Sequence, residues 1–369
     1  MKYYFKSAIC CSLSRRRLID HGTQAGLSLI ELMIAMTIGL VLVAGVTVLI
    51  QKQSSTRAEL EKSNRQIESG RYAMQLLQED IQLAGYYGEY SKILTAPASL
   101  PDPCTTQITP AAPALPLAAG IPLAIQGYDR PATVPTPLSA CLPDENHVPN
   151  TSIIVIRRTD TATVDVGSAT AGKIYLQSGL QPASPNFLYV LGTGPDASVF
   201  NLTKNDHSTI APLRQYLVHI YFISPCNVPA SGTSCTGTAD GGNPTPTLKR
   251  LELSVSGGVA SFVTVPLADG IENLQFDYGI DTTSDGAPDS FTTGTYSSGT
   301  TAMTATDWFN VMSVRVNLLA RSVDKSAGYT SAKTYALGGA GTVGPFTDNY
   351  KRHVFSELVR AINPSSRRE

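Results

Sequence analysis

The sequence predicts an α+β protein, in which one long N-terminal helix precedes a globular domain built on a mainly antiparallel β-sheet. An apolar run at residues 27–50 continues into polar sequence with helical periodicity, and short alternating segments then recur along the chain. Hydrophobic residues make up 42% of the 369 residues, which permits a sizeable core. The net charge of −1 gives no general attraction for nucleic acid, so we expect no nucleic-acid partner.

The apolar run is predicted to span a membrane. As a helix it would cover about 36 Å, enough to cross a hydrocarbon core of about 30 Å with some tilt. Three arginines at residues 15–17 mark the N-terminal side as cytoplasmic. The alternatives are a secretory signal peptide, whose apolar region is shorter, and a lipoprotein acylated at Cys10 or Cys11, which no apolar region precedes. Glu31 is the only ionisable residue of the run, and so costly a carboxylate needs a positive partner.

The helix is predicted to continue through residues 51–87, followed by a globular domain at residues 88–369. Gly85 and Gly88 provide the stop signal. One face is apolar and is expected to pack on a sheet, whereas a coiled coil is the competing interpretation. The residues of this face recur at steps of three and four: Ile67, Gly70, Met74, Leu77, Ile81 and Ala84.

The rest of the chain is predicted to be an irregular region followed by strands. Residues 89–150 are rich in Pro, Ala and Thr and read as a disulfide-tied subregion. The strand at residues 311–320 alternates as a half-buried strand does, with Ser313, Arg315 and Asn317 on the side opposite its apolar residues and expected to face solvent. The strands ending at Ile223 and starting near Leu248 read as a hairpin with a long loop. Strands are predicted at residues 152–158, 173–177, 187–191, 213–223, 248–255, 259–265, 270–280 and 311–320.

Motifs for catalysis are missing from the sequence. It contains no HExxH, Walker A, CxxC or G-x-S-x-G pattern, so we expect no enzyme and no required cofactor. His219 is interpreted as a strand histidine bonded to its neighbours instead of a catalytic base. The adjacent Glu79 and Asp80 do not face each other on a helix and are interpreted as a solvated surface.

Residues 26–35, GLSLIELMIA, closely resemble the class III signal of type IV prepilins. The resemblance implies that prepilin peptidase cuts after Gly26 and methylates the new amine of Leu27. It also places Glu31 at the fifth mature position, where it serves assembly. Leu27 stands where most members have Phe or Met, and the leader at residues 1–26 is long.

Three further stretches resemble the PilW type of type IV pilus minor pilin. The implied fold is type IV pilin-like, and the implied partners are other minor pilins, the major pilin and a tip adhesin. The implied location is the inner membrane with a periplasmic domain, and then the pilus fibre near its tip. A type II secretion pseudopilin is the first alternative, and a membrane-tethered periplasmic binding protein or enzyme is the second. The stretches are residues 70–88, 267–279 and 350–360.

Four cysteines remain once the predicted leader is removed. An exported domain meets an oxidising compartment, where disulfides are expected in preference to free buried thiols. Four cysteines allow three pairings. Loop lengths favour Cys104–Cys141 and Cys226–Cys235, because each pair brackets a Pro/Gly-rich loop.

The loop at residues 281–289 is a candidate calcium site. It offers oxygens from Asp281, Thr283, Asp285 and Asp289 at loop positions 1, 3, 5 and 9, with glycine at position 6. Position 12 is Thr292, where calcium loops have a bidentate Glu. An Asp/Gly-rich turn whose carboxylates bond their own backbone is the equal alternative.

Overall fold

The computed structural model describes residues 26–89, 95–106, 123–181, 187–257, 259–294 and 302–369. The predicted leader, with Cys10 and Cys11, lies outside the described residues apart from Gly26. The chain divides into two compact units, Met1–Ala58 and Glu59–Glu369.

Helix α1 spans Leu29–Gln82 and contributes residues to both units. Its end coincides with the predicted stop, because Gly85 and Gly88 adopt positive φ angles of 68° and 70°. That left-handed conformation strains other residues but not glycine. The predicted glycine-rich stop is therefore correct, although the helix ends five residues before residue 87.

The strands of the second unit form two antiparallel sheets and a small ribbon within the described residues. One sheet has the order β1-β2-β5-β3-β4, with β6 pairing β5 and β7, and the other has the order β13-β10-β8-β9. Two short helices, α2 (Ala305–Phe309) and α3 (Ile362–Ser366), flank the second sheet. The strands are β1 (Ile125–Tyr128), β2 (Ile153–Thr159), β3 (Ile174–Leu180), β4 (Phe187–Thr193), β5 (Leu213–Ser224), β6 (Thr247–Ser256), β7 (Val259–Asp269), β8 (Ile271–Ile280), β9 (Ser290–Thr292), β10 (Val311–Arg321), β11 (Tyr335–Ala336), β12 (Thr342–Val343) and β13 (Arg352–Arg360).

All eight predicted strands are confirmed, and the hairpin of β5 and β6 is antiparallel as expected. Strand β13 was not predicted, although its residues lie within a stretch that carried the family resemblance. Strand β1 was not predicted either, and it lies inside the region expected to be irregular.

The main core lies between the second half of α1 and the inner faces of both sheets. Leu77 and Ile81 are completely buried there, and burying each such side chain contributes about 1.5–3 kcal/mol. Gly70 lies against the Phe355 ring of β13 so closely that a Cβ at this position would overlap the ring. A second core covers the other face of the larger sheet, beside the Cys104–Cys141 bridge. The predicted apolar helix face is thus the packing face, although Ile67 is only partly covered.

The prediction for β10 needs one correction. Ser313 and Asn317, expected to face solvent, are 4% and 2% exposed. Asn317 donates to Asp277 Oδ2 at 3.2 Å, and the Gly339 amide donates to Asp277 Oδ1 at 2.9 Å. The loop after β11 therefore covers this face of the sheet at Asp277 and Asn317, where the buried polar groups are hydrogen-bonded. Ser313 Oγ is buried without a hydrogen-bond partner among the described residues.

Candidate assembly site and its supports

The N-terminal segment places Gly26 and Leu27 in the open, just before α1. Nothing lies within 4 Å of a Cβ at Gly26, and Leu27 is 76% exposed. Glu31 accepts a hydrogen bond from the Ser28 amide at 3.0 Å, while the Glu31 amide donates to Ser28 Oγ at 3.4 Å. These reciprocal bonds form a capping box at the start of the helix. Sequence reasoning missed this role for Ser28, although the S-x-x-E spacing signals it.

The first unit exposes an apolar helix surface. By length and composition, α1 has a window apolar enough to cross a membrane, and that window is not buried in the protein. A soluble domain rarely exposes a continuous apolar surface of this size. Lipid or other apolar helices must cover it. Exposed large side chains include Leu29, Ile30, Met33, Met36, Leu40, Val43 and Leu49.

In the second unit, a buried polar cluster joins α1 to β2 and β5. The Asp80 carboxylate, 3% exposed, accepts from Arg158 Nε at 2.6 Å and lies 2.6 Å from His219 Nδ1. The Tyr221 hydroxyl donates to the same carboxylate at 2.8 Å, and Arg250 donates to that hydroxyl oxygen at 3.1 Å. One helix carboxylate is thus held by two strands of the sheet.

The electrostatics of this cluster favour the ionised carboxylate. Burial by itself would raise the pKa of Asp80, but the hydrogen bond and charge of His219, together with Arg158, outweigh it and hold that pKa well below its usual value. Burial, followed by the neighbouring Asp80 charge, raises the pKa of Tyr221 well above 10. Such a buried network specifies how the helix seats on the sheet.

Two sequence interpretations change here. Asp80, expected on a solvated surface, is buried, whereas its neighbour Glu79 is exposed. His219 bonds to the helix residue Asp80 instead of its strand neighbours. Chain separations of 139 and 141 residues, from Asp80 to His219 and to Tyr221, left no local signal for this cluster.

The C-terminal segment docks where α1 ends. Asn363 Nδ2 donates to the Gln82 and Ala84 carbonyl oxygens at 3.4 and 3.2 Å, and Arg367 donates to the Gly85 carbonyl oxygen at 2.7 Å. These bonds satisfy carbonyl groups that a helix end leaves without intrahelical partners. The tail therefore acts as a side-chain cap on the helix.

Arg368 of the C-terminal segment contacts the candidate calcium loop. Asp281 is completely buried, accepts the Ser284 and Gly286 amides at 2.6 and 2.9 Å, and pairs with Arg368 at 3.1 Å. Asp289 accepts the Thr282 amide at 2.7 Å.

The other predicted ligands also bond within the loop. The Asp285 carboxylate accepts the Ala287 amide at 2.9 Å, and Thr283 Oγ1 lies 3.3 Å from Asp289. Across the described part of the chain, no group of three or more His, Cys, Asp or Glu residues is arranged to hold a metal ion. The loop thus has the turn arrangement, and calcium binding stays a prediction.

Both predicted disulfides are present. Cys104–Cys141 closes a separation of 37 residues and Cys226–Cys235 a separation of nine, each with a Cα–Cα distance of 5.6 Å. The first ties the irregular region to the second core. The second closes the tip of the loop between β5 and β6.

These features define a class of protein. An exposed apolar helix that begins at a prepilin-like cleavage motif, and whose second half packs on an antiparallel domain, is the organisation of type IV pilins and their relatives. Residues 22–47 match the model of the prokaryotic N-terminal methylation motif.

A second match lies nearer the other end of the chain. Residues 234–363, which include β6 to β13, match the model of the type IV pilus-assembly protein W family. The two matches confirm the resemblance and support a type IV pilus minor pilin of the PilW type, with an inner-membrane anchor and peptidase processing. Comparisons with curated proteins and with solved structures found no match.

Proposed function

We propose that this minor pilin primes type IV pilus assembly near the fibre tip, with its globular unit in the periplasm before assembly. The observation that carries the proposal is a class III signal placed directly on an apolar helix that the protein leaves uncovered. That helix can leave lipid for a bundle of equally apolar helices at little cost in hydrophobic free energy, because both surroundings are apolar. The disulfides fit an oxidising compartment.

Glu31 is the residue through which one subunit would attract the next during assembly. Cleavage after Gly26 would create an amine at Leu27, next to the Ser28 amide that already bonds Glu31. In an apolar bundle, the Glu31 carboxylate of one subunit would attract the Leu27 amine of a neighbour. The expected neighbours are other minor pilins and the major pilin, with a tip adhesin as a further partner.

Three Glu31 and Gly26 variants test this proposal. Glu31→Gln keeps an N3 side chain suited to the capping box but removes the charge, whereas Glu31→Val removes both. We expect both variants to be cleaved and membrane-bound yet depleted from sheared fibres. If Glu31→Gln enters fibres normally, the charge is not used for docking. Gly26→Val should block cleavage, and intact-mass analysis should find wild type starting at methylated Leu27.

A type II secretion pseudopilin is the second candidate, because it would share the leader and the helix. Deleting the gene distinguishes the two: loss of surface pili and twitching with normal exoprotein secretion supports the pilus, and the reverse supports the pseudopilus. A membrane-tethered binding protein would function normally with Gly26→Val.

A further inference from the structure

A groove beside β7 is separate from both the N-terminal segment and the Asp80 cluster. Its volume is about 440 Å³. Phe222 of β5, Lys249 of β6 and Pro266 of β7 line it and are cross-strand partners, so the groove lies over one face of these three strands. Val263 also lines it, which brings the groove to the edge of β7, since successive side chains point to opposite faces. The opposite wall is the disulfide-closed loop between β5 and β6, including Val228 and Pro229.

The β7 edge is open to another strand. Among the described residues, β7 pairs only with β6, and Val259 and Val263 are 67% and 45% exposed. The only charged residue of β7 is its last, Asp269. Free edges are usually blunted by charges or proline, but here Pro266 lies near the far end and residues 259–265 have no such protection. An uncharged free edge is suited to accept an extended peptide through main-chain hydrogen bonds.

Lys249 of β6 lines the same groove and is 5% exposed. Its ammonium group forms no hydrogen bond or ion pair with any residue in the described part of the chain. Asp240 and Asp269 act on it electrostatically, but Asp240 accepts the Asn227 and Val228 amides. Every Asp and Glu that follows Gly26 lies in this described part, so no acidic side chain after residue 26 is bonded to Lys249. The Lys249 ammonium group thus has no directly bonded anion among the described residues, and an anion that enters the groove can form a charge-assisted hydrogen bond with it.

An unmet acceptor lies in the same groove. Asn227 Oδ1 is buried and has no hydrogen-bond donor, and Asn227 lines the groove beside Phe222 and Phe262. Lys249 therefore offers a donor to an anion, and the buried Asn227 Oδ1 needs a donor, between apolar walls. An extended peptide with an acidic side chain offers both groups, because its carboxylate accepts and its backbone N–H donates.

We propose that this groove binds an extended acidic segment of another polypeptide, which adds a strand to β7 and directs one carboxylate to Lys249. Asn227 Oδ1 accepts an N–H of the same segment. Contact with Phe262 and Val263 favours apolar side chains beside the acidic residue of the bound segment. The pairing does not depend on the pilus assignment, and its failure would leave that assignment unchanged.

Two blocked hexapeptides test the proposal by isothermal titration against the full-length protein in detergent micelles. One has the sequence TVTEVT, and the matched TVTQVT replaces only the carboxylate by an amide. We expect saturable binding of the acidic peptide, at least tenfold tighter than that of its amide partner. Lys249→Met should remove this difference, Lys249→Arg should keep most of it, and Lys204→Met, at an exposed lysine, should leave it unchanged.

Three further measurements decide whether the proposal fails. Equal binding of the two peptides to wild type, or no saturable binding of the acidic one, would overturn the proposal even if Lys249→Met fails to fold. Full competition by sodium acetate at the peptide's own concentration would show a site for a free carboxylate without strand addition. Circular dichroism of each variant separates lost binding from lost structure.

Discussion

Replacing Asp80 by asparagine tests whether the buried cluster holds α1 on the sheet. The substitution preserves shape but removes the charge that Arg158 and His219 bond at 2.6 Å. Removing one partner of a buried ion pair costs about 3–5 kcal/mol, because the remaining charge stays buried without compensation. For the second unit, Glu59–Glu369, an unfolding entropy of about 2.1 cal/mol/K per residue makes this a melting temperature lower by roughly 5–8 °C.

Chemical unfolding of the full chain in detergent micelles would measure this loss. Trp308, the only tryptophan, is 4% exposed and lies 4.7 Å from the Tyr278 ring, centroid to centroid, so its fluorescence reports unfolding of the second unit. Glu79→Gln is the matched control, because Glu79 is the exposed neighbour and its replacement should change stability by less than about 0.5 kcal/mol. A loss below about 1 kcal/mol for Asp80→Asn at pH 7 would refute the reasoning.

The pH dependence provides an independent check on the same residue. The pKa of Asp80 is lowered in the folded state, so its contribution is fully present above the unfolded pKa of about 3.9. It is lost as the pH falls through the lower folded pKa. The stability difference between wild type and Asp80→Asn should therefore shrink as the pH falls below about pH 4.

Three further predictions concern packing, cross-links and the acidic loop. Gly70→Ala should destabilise the second unit by about 1–3 kcal/mol, because the new Cβ would overlap the Phe355 ring. Gly45→Ala should not, because no atom lies within 4 Å of a Cβ at that position. Equal melting temperatures for the two variants would contradict the close contact between Gly70 and Phe355. Replacing Cys104 and Cys141 by serine should lower the free energy of unfolding by about 4 kcal/mol, and replacing Cys226 and Cys235 should lower it by about 2.5 kcal/mol, because the first bridge closes the longer loop. If urea unfolding shows the reverse order, loop entropy is not the cause. Millimolar calcium should raise the melting temperature slightly, and by more in Arg368→Met, because that substitution removes the ion pair of Asp281. If both proteins melt at the same temperature in calcium and in chelator, the loop is an Asp/Gly-rich turn that does not bind calcium.

The sequence by itself determined the features whose signals are local. The cleavage motif and the apolar run are continuous stretches, and the helix face and eight strands follow from periods of 3.6 and two residues. The disulfide pairing was accessible as well, because each bridge encloses its own loop. The missed capping box of Ser28 and Glu31 was equally local, since its bonds join residues three apart.

Only the tertiary structure decided which polar residues are buried. Asp80 and Glu79 are adjacent acidic residues on one helix, yet one carboxylate meets Arg158 across 78 residues of chain and the other faces solvent. Arg368 reaches Asp281 across 87 residues and occupies the loop predicted for calcium. Hydrophobic periodicity reports which face of an element is apolar. It does not report which charge from a distant segment will meet a carboxylate on that face, because that depends on how the elements pack.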